Sequence, residues 1–520
     1  MRTERGFTPP FSLPVGLREG CPLSPLLFAL FIADAPRRLR EIELGSSVRL
    51  AEYDLRSLFF ADDAALVAAT VPDLQRLVDR FTSYMREKWI SINPAKSEWI
   101  VLGANEGYRV VPMEGLPDSV ECNLCPGSAR WVPVPLTCEG TPIRATGVFK
   151  YLGVRIAAEA DMAAGINGAG AAGLKAWSAF RSVFYTEPSM PLRRLLSLHR
   201  SLVGSCAMYG AEAWGPFLPD VATPQCPVRS LQQAALALLG GCRSNTNLNK
   251  LCFLFQQIPW IYHIHRKALR FLHNKLSSNN CELFQLCLRH LGGVQGSGSW
   301  LDRTLGLLRS VGLDASFDAR ALSLSGVPTN WLQTWQERAL CRVNTGVREG
   351  WSAAVPSAQG VVLDHLRTCN FRVHALLAAV PNFSFRQLVA RLLSGTFGVA
   401  RVHGHYKRTD IARADRRFCL LCLRKGRRFL DDEAHVLLEC PVLMPKRLSI
   451  LWDLREHIIM REQVGDGWYY SPPRDTSMGP ARLLPLLNAI LYTSSGRVDV
   501  VNAYMIGLFL EKAWQMRAKG

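Results

Sequence analysis

The chain has 520 residues, more than a single hydrophobic core usually serves, so roughly two to four folded units are expected. Hydrophobic residues make up 48% of it and charged residues 20%, a balance that excludes wholesale disorder. The 61 Lys and Arg outnumber the 43 Asp and Glu, and the net charge of +18 favours a polyanionic partner such as nucleic acid. Composition alone leaves open an anionic membrane surface, or a basic protein without such a partner.

The cysteine content and the first residues indicate a reducing compartment. Fifteen Cys are spread along the chain, and residues 1–15 contain three prolines and no unbroken apolar stretch, unlike a signal peptide. The longest apolar runs, residues 23–33 and 500–510, are shorter than the roughly 20 residues that cross a bilayer. We therefore expect an intracellular protein of the nucleus or cytoplasm, neither secreted nor bound in a membrane. The sequence does not indicate an oligomeric state.

The first predicted elements are an extended segment, a helix and a hairpin. Residues 1–15 are punctuated by proline and predict extended backbone. Ser24 and Pro25 then open an apolar run, which predicts a mostly buried helix with Ser as its cap and Pro in its first turn. Asp62 and Asp63 stand between two short apolar runs, so a β-hairpin with both acids at its tip is expected.

A second helix is predicted directly after this hairpin. Pro72 suits its first turn, and residues 100–102 and 149–154 look like further strands on either side of a Pro- and Gly-rich insertion over residues 104–145. The apolar residues at helical spacing are Leu74, Leu77, Val78, Phe81, Met85 and Trp89. Hairpins and helices in this order predict an α+β fold.

Beyond about residue 156 the pattern is helical. Residues 195–208 and 231–239 are apolar at three-to-four spacing, with Gly, Pro and Ser clusters between them. Residues 246–400 continue the helical pattern but carry little chemical information.

The Asp62–Asp63 pair is the first candidate for chemistry. Adjacent carboxylates on a rigid hairpin are the ligands that a two-metal phosphoryl-transfer site uses, because hard Mg²⁺ ions prefer carboxylate oxygens. The alternative is that the two acids are solvated turn residues, which is the commoner role of such a pair.

Four segments in order decide between these alternatives. They read GLREGCPLSPLLF at residues 16–28, FADD at 60–63, INPAKSE at 92–98 and FKYLG at 149–153. This series resembles the later palm motifs of reverse transcriptases, in the version of non-LTR (LINE-type) retrotransposons. MYGAEAWG at 208–215 is similar to a segment of the helical thumb of the same elements. The resemblance covers roughly residues 11–245 and resumes near residue 390.

The resemblance implies a role for each matched residue in RNA-directed DNA synthesis. Asp62 and Asp63 stand at the Mg²⁺-binding catalytic pair, and Lys96 stands where a cation assists the departing pyrophosphate. The implied partners are an RNA template and a DNA primer or target. Taken alone, Lys96 would be a solvated surface lysine.

Two further segments are implied to bind the nucleotide and the template. Arg18 and Gly20 belong to the loop and helix that pack near the incoming nucleotide, and a helix start after a Gly loop is a natural anion site. Tyr151 and Gly153 flank the turn that supports the primer terminus.

The sequence also departs from the family. In the family, the fingers and a palm strand with another catalytic Asp precede the first matched loop, and we expect this chain to lack both. Asp34 and Asp54 do not occupy a separate palm strand, so neither is expected to replace that Asp. Glu19 replaces the usual Gln and adds a negative charge beside the template path. We therefore expect a truncated enzyme with little or no DNA synthesis by the isolated chain.

A Cys/His cluster near the C-terminus is the second candidate site. Cys419-x2-Cys422-x12-His435-x4-Cys440 has the ligand types and spacing of a closed structural zinc site. It also resembles the C-terminal zinc knuckle of LINE-type elements. Cys122-x2-Cys125-x12-Cys138 repeats the first spacing, but it lacks a nearby fourth ligand and is interpreted as structural or unoccupied.

Basic residues surround the first ligand pair. Residues 401–428 hold ten Lys or Arg against two Asp, a charge density that suits phosphate binding, with Tyr406, Phe418 and Phe429 available for base stacking. The alternative is a solvated flank. The candidate nucleic-acid-binding residues are Arg416, Arg417, Arg424, Lys425, Arg427 and Arg428.

These observations predict five regions. They are a partial reverse-transcriptase palm of antiparallel strands with packed helices (1–155), a helical thumb-like region (156–245), a helical linker (246–400), a basic CCHC zinc knuckle (401–445) and a helical tail (446–520). The leading hypothesis is an RNA-directed DNA polymerase with Mg²⁺ and Zn²⁺ as cofactors. The alternatives are a non-catalytic nucleic-acid-binding protein that acts through the knuckle, and an inert remnant of a decayed element.

Overall fold

The fold is known from a computed structural model. It describes residues 2–3, 6–7, 16, 21–50, 52–102, 108–111, 119–122, 136–158, 162–186, 190–218, 226–242, 244, 246–255, 257–277, 282–293, 298–353, 387, 418–429, 435–436 and 440–445. The chain forms two compact units. The first combines Met1–Ala164, Ser278–Ser297 and Phe317–Ser323, and the second combines Gly165–Ser277, Gly298–Ser316 and Leu324–Gly520.

The N-terminal part of the chain mixes short strands with three helices. In chain order these elements are β1 (Arg2–Thr3), β2 (Gly6–Phe7), α1 (Ser24–Phe31), α2 (Ala35–Arg40), β3 (Arg49–Leu50), β4 (Tyr53–Asp54), β5 (Ser57–Phe60), β6 (Asp63–Leu66), α3 (Val71–Glu87), β7 (Glu98–Trp99), β8 (Tyr108–Val111), β9 (Ser119–Cys122), β10 (Thr137–Cys138), β11 (Thr141–Pro142), β12 (Arg144–Ala145), β13 (Val148–Tyr151) and β14 (Val154–Ala157). This mixture confirms the expected combination of helix and strand.

The remainder is mostly helical. Its elements are α4 (Ala163–Thr186), α5 (Leu192–Leu198), a π-helical turn (His199–Gly204), α6 (Ser205–Ala207), α7 (Ala211–Trp214), α8 (Pro227–Leu239), α9 (Leu248–Phe255), α10 (Trp260–Leu276), α11 (Glu282–Gly293), α12 (Trp300–Arg309), β15 (Ser316–Asp318), β16 (Ser323–Ser325), α13 (Trp331–Ala353) and α14 (Leu420–Leu423). The predicted helices over 195–208 and 231–239 are confirmed. The predicted tail, residues 446–520, lies outside the described residues.

Helix α3 organises the core of the first unit. Thr70 caps the helix by accepting a hydrogen bond from the Asp73 backbone N–H, and Pro72 occupies the first turn. One apolar face of α3 packs against α2, and its other apolar side chains pack against Trp99 and Leu136. The buried members of these two clusters are Ile32, Ala35, Leu39, Leu77, Phe81, Tyr84, Met85, Val78, Trp99, Leu136, Cys138 and Ala145.

Asp73 ties the loop after α2 to the start of α3. Its carboxylate accepts hydrogen bonds from the backbone N–H groups of Gly45 (2.9 Å) and Ser46 (3.1 Å) and from the Thr70 hydroxyl (2.7 Å). The Thr70 bond, followed by the two backbone bonds, lowers the pKa of this carboxyl. The segment that leads to the β5–β6 hairpin is therefore anchored on α3.

Three sequence expectations for residues 24–102 are wrong. Helix α1 is not buried: Phe28 packs partly buried against the core, but none of the helix residues is fully buried, and Leu26 and Leu30 are exposed. Trp89 does not continue α3, since it follows the helix end with a left-handed φ of +61° and is exposed. The strand expected at 100–102 lies earlier, at Glu98–Trp99, where the backbone pairs with β12.

The described strands of the N-terminal part pair two by two. The pairs β3–β4, β5–β6, β10–β11 and β13–β14 are antiparallel, whereas β7 and β12 are parallel. The stretch predicted as one strand over 149–154 is instead a hairpin that turns at Leu152 and Gly153. The two hairpins that carry candidate site residues are thus β5–β6 and β13–β14.

The second unit is built from closely packed helices. Gly173 on α4 lets that helix approach its neighbours: a Cβ there would lie 2.7 Å from Leu231 on α8 and 2.8 Å from the Ala207 side chain. Gln232, which is buried, donates to the Ile258 carbonyl (3.0 Å) and accepts from the Trp260 N–H (2.9 Å). The buried Gln232 amide therefore supplies a hydrogen-bond acceptor for the first backbone N–H of α10. No helix among the described residues is long and apolar enough to cross a membrane.

Candidate functional site

The β5–β6 hairpin presents two carboxylates at its tip. Phe60 pairs with Asp63, so Ala61 and Asp62 form the turn between the strands. Ala61 adopts a left-handed φ of +52°, a conformation that tight hairpin turns require and that Ala adopts at some cost. Asp62 and Asp63 are both exposed. The predicted hairpin with two acids at its tip is confirmed as a structural feature.

The β13–β14 hairpin brings an aromatic side chain towards this pair. Leu152 (φ +47°) and Gly153 (φ +84°) form its two-residue turn, and the rings of Phe149 and Tyr151 stack with centroids 6.3 Å apart. Burial raises the pKa of the Tyr151 phenol, and the negative charge of Asp63 raises it further. The phenol therefore lies within electrostatic reach of Asp63.

The other predicted residues of this site are not all brought together. Lys96 ends a 3-10 turn that Asn93 caps through the Ala95 N–H (3.1 Å), and its side chain is exposed. In the described structure, no hydrogen bond or ion pair joins Lys96 to Asp62. Arg18 and Gly20 lie outside the described residues.

A third carboxylate for the Asp pair is not found among the described residues. Asp34 accepts a hydrogen bond from the Tyr84 hydroxyl and lies 3.4 Å from the Lys88 amine, and the Tyr84 bond is the main cause that lowers its pKa. Asp54 binds Arg56 at 2.8 Å. Both acids are therefore held by their own partners. Neither Asp62 nor Asp63 joins a described group of three or more metal-ligating side chains.

The Cys/His cluster is assembled in the second unit. The ligand atoms of Cys419, Cys422, His435 and Cys440 all lie within 4.8 Å of one another, and all four side chains are buried. The Cys422 Sγ lies 3.4 Å from the His435 Nε2 and 3.6 Å from the Cys440 Sγ. A hydrogen bond from Cys419 lowers the pKa of the Cys440 thiol, which favours the thiolate that metals bind.

These distances fit a tetrahedral zinc ion. With Zn–S bonds of about 2.3 Å and Zn–N bonds of about 2.0 Å, the edges of a tetrahedron are roughly 3.5 to 3.8 Å long. The two distances at Cys422, 3.4 Å and 3.6 Å, are within about 0.2 Å of these edge lengths. Three sulfurs and one imidazole nitrogen are also the donor set of closed structural zinc sites.

The backbone around the first ligand pair is fixed by short-range hydrogen bonds. The Cys419 N–H donates to the Phe429 carbonyl (2.9 Å), and the N–H groups of Lys425 and Arg427 both donate to the Cys422 carbonyl (2.9 Å each). The Phe429 ring stacks on His435 with centroids 5.3 Å apart. The loop between Cys422 and Phe429 is thus closed on the ligand pair.

This loop displays the predicted basic residues. Arg424, Lys425, Arg427 and Arg428 are all exposed, and Gly426 makes the turn with a φ of +71°. Arg416 and Arg417 lie outside the described residues. In the second cysteine cluster the Cys138 thiol is buried 3.4 Å from the Thr82 hydroxyl, while the side chains of Cys122 and Cys125 are not among those described.

One concentration of charge was missed by the sequence reading. Residues 165–277 contain twelve Lys or Arg and three Asp or Glu, an excess of nine that equals half of the net charge. Counting charge for each segment would have found it. Within this segment the structure brings together Arg200, His263 and Arg266, which no sequence motif connects.

Comparison with known proteins identifies the class. Residues 10–156 match the family described as "Reverse transcriptase (RNA-dependent DNA polymerase)". This match contains both candidate hairpins and confirms the resemblance read from the four palm segments. The chain contains a reverse transcriptase domain of the non-LTR (LINE-type) retrotransposon kind.

Two proteins similar to this chain come from retrotransposable elements. The chain is similar to a "Retrovirus-related Pol polyprotein from type-1 retrotransposable element R2" of Popillia japonica, 27% identical over 27% of this chain and 20% of the relative. It is also similar to the protein of the same description from Nasonia vitripennis, 30% identical over 19% of this chain and 9% of the relative. The matched region is therefore a small part of either relative.

Proposed function

We propose that this chain is part of the reverse transcriptase of a non-LTR retrotransposon, with Asp62 and Asp63 as the metal-binding catalytic pair for RNA-directed DNA synthesis. The observation that carries the proposal is the meeting of the Asp62–Asp63 tip and the Tyr151 phenol within the region that matches reverse transcriptases. An RNA template and a DNA primer or target are the proposed partners.

The side chains suit this chemistry. Exposed carboxylates on a hairpin offer the hard oxygen ligands that Mg²⁺ prefers. Bound Mg²⁺ would supply activation of the primer hydroxyl and charge stabilisation of the leaving oxygen. Tyr151 and the Gly153 turn would position the primer terminus beside Asp63, and Lys96 would provide a cation for the departing pyrophosphate. Arg18 and Gly20 would contact the nucleotide and template.

Synthesis by the chain alone is expected to be weak or absent. Two adjacent carboxylates give a two-metal site less charge and fewer ligands than it needs, and Asp34 and Asp54 are held by other side chains. The test is incorporation of a single nucleotide on an RNA template with a DNA primer. Slow incorporation that Asp62→Asn abolishes and Glu87→Gln leaves intact supports the proposal, whereas incorporation unaffected by Asp62→Asn refutes the assignment of the pair.

A second function is favoured by the Cys/His cluster. We propose that Cys419, Cys422, His435 and Cys440 bind Zn²⁺ and that the exposed Arg424–Arg428 loop binds nucleic acid. The tetrahedral edge lengths support the metal, and the closed basic loop supports the partner. A chain that binds RNA through this loop but incorporates no nucleotide with any divalent metal would be a binding protein rather than a polymerase.

Metal analysis tests the zinc proposal directly. The purified chain should contain one equivalent of zinc, and Cys422→Ser should lose it, because a three-ligand remnant no longer closes the tetrahedron. The matched control is Cys138→Ser, which removes a buried thiol that hydrogen-bonds Thr82. Equal zinc content in both variants would refute the proposal.

The sequence pattern and the family resemblance also support a proposed division of the chain into palm, thumb, linker, knuckle and tail at residues 155, 245, 400 and 445.

A further inference from the structure

The helical segment 165–277 holds an excess of positive charge outside the matched region. It contains twelve Lys or Arg against three Asp or Glu. Among its described residues Glu212 is the one acid, and its carboxylate binds Lys267 at 3.1 Å.

Arg200 and Arg266 lie near His263, on segments that are joined by the packing of the His199 and Trp260 rings. The His199 ring, at the start of the π-helical turn, stacks on Trp260 at the start of α10, with centroids 4.9 Å apart. Arg200 follows His199 directly, and His263 lies three residues after Trp260 on the same face of α10. This stack fixes the two backbones from which the cationic side chains project.

Arg266 completes the group one helical turn further along α10. His263 and Arg266 are three residues apart and so share a helix face. Burial lowers the pKa of His263, and the positive charges of Arg266 and then Arg200 lower it further, so both guanidiniums lie within electrostatic reach of this imidazole.

The arginine at the centre of the group has an unmet hydrogen bond. The Arg266 Nε is buried and has no hydrogen-bond partner among the described residues. Leaving a buried charged donor unpaired costs free energy, and placing a second guanidinium nearby costs more. A bound anion would relieve both costs at once. A guanidinium is also well shaped to hold a phosphate through two parallel N–H bonds.

We propose that Arg200, His263 and Arg266 form a binding site for a backbone phosphate of nucleic acid. Only the identity of the polyanion rests on the proposed function. The net charge of +18 and the reverse transcriptase domain favour nucleic acid over an acidic protein or lipid. Its residues lie outside the matched region 10–156 and outside the Cys/His cluster. Exposed Arg193 and Arg194 on α5 extend the positive surface without taking part in the group.

The test compares two double variants that remove the same charge. The full chain is titrated into a fluorescein-labelled single-stranded RNA at several salt concentrations. Arg200→Gln with Arg266→Gln should weaken binding about tenfold and reduce the salt slope by roughly one to two. Arg193→Gln with Arg194→Gln, the matched control, should weaken it less than about threefold. Equal losses in the two double variants would show general charge attraction and overturn the site.

A second measurement covers the case in which the variants do not fold. In the parent chain, NMR titration of His263 should show that its pKa rises when RNA binds, because a phosphate favours the imidazolium, while His273 further along α10 shows little change. An unchanged His263 in saturating RNA overturns the proposal, and so does an equal response to a dicarboxylate peptide or to anionic vesicles.

The proposed function can fail independently. If the chain incorporates no nucleotide but binds RNA through Arg200 and Arg266, the phosphate site stands and the proposed polymerase function fails. If Asp62-dependent synthesis and RNA binding both survive Arg200→Gln with Arg266→Gln, the polymerase function stands and the phosphate site fails.

Discussion

The phenol of Tyr151 lies within electrostatic reach of the Asp63 carboxylate, although the two residues belong to separate hairpins. Asp63 begins β6 at the tip of one hairpin, and Tyr151 ends β13 at the turn of the other. The palm segments FADD and FKYLG, which have 85 residues between them, are thereby brought within electrostatic reach of each other. This convergence is the main structural support for a single site.

The first prediction concerns this pair. Asp63→Asn should lower the pKa of Tyr151, because it removes the negative charge that disfavours the phenolate. The pKa should remain above the ordinary value for tyrosine, since burial is the larger cause. Ultraviolet or NMR titration of the phenol, with Tyr151→Phe to assign the signal, measures it. Asp62→Asn serves as the control and should lower the pKa of Tyr151 less than Asp63→Asn does. Equal pKa shifts from the two substitutions would contradict a specific interaction between Tyr151 and Asp63.

A second prediction concerns the turn of the β13–β14 hairpin. Leu152 has a φ of +47° before Gly153 at +84°, whereas two-residue turns with two positive φ angles favour Asn followed by Gly. Leu152→Asn should therefore stabilise the fold by roughly 0.5 kcal/mol, because Asn adopts the left-handed region at a lower cost than Leu. Urea unfolding measures the change. Leu152→Ala, which gains no such relief, should destabilise; if it matched Leu152→Asn, turn strain would not explain the effect.

The parts of the fold that were predictable are those that local sequence determines. The hairpin at Asp62 and Asp63 follows from two apolar runs around a short polar turn, and the beginning of α3 follows from Thr70 and Pro72. The Cys/His cluster was found because metal geometry fixes the spacing of its ligands, and the four side chains do meet.

The features that were missed depend on partners distant in sequence or on backbone conformation. The apolar run of α1 predicts a buried helix, but Phe28 is only partly buried against the core, and Leu26 and Leu30 stay exposed. Trp89 keeps the helical spacing, but α3 ends at Glu87 and Trp89 takes a left-handed φ. Arg200 and Arg266 are 66 residues apart, and tertiary contacts such as the packing of His199 on Trp260 bring their segments together.

A third prediction uses two helical glycines with opposite surroundings. Gly173→Ala should destabilise the fold by about 1 to 3 kcal/mol, because the added Cβ would lie 2.8 Å from Ala207, whose backbone is only 3.3 Å away and cannot rotate aside. Gly306→Ala on α12 should stabilise it by up to about 1 kcal/mol, since nothing lies within 4 Å of a Cβ there and Ala favours helix. Chemical unfolding of both variants measures this contrast, and a stabilised Gly173→Ala would contradict the close approach of α4.

The last prediction is a pH dependence from His199. The ring is buried between Trp260 and Phe180, and burial lowers its pKa to about 4 from an ordinary value near 6.5. The folded protein therefore keeps His199 neutral while the unfolded chain takes up a proton. The contribution of neutral His199 to the free energy of unfolding is fully present above about pH 6.5. It is lost as the pH drops towards 4, by about 3 kcal/mol in total. His199→Phe, which keeps a stacking ring, should unfold with a weaker pH dependence over that window. Parallel urea titrations between these pH values compare the two proteins, and identical slopes would mean that His199 is protonated without cost in the folded state.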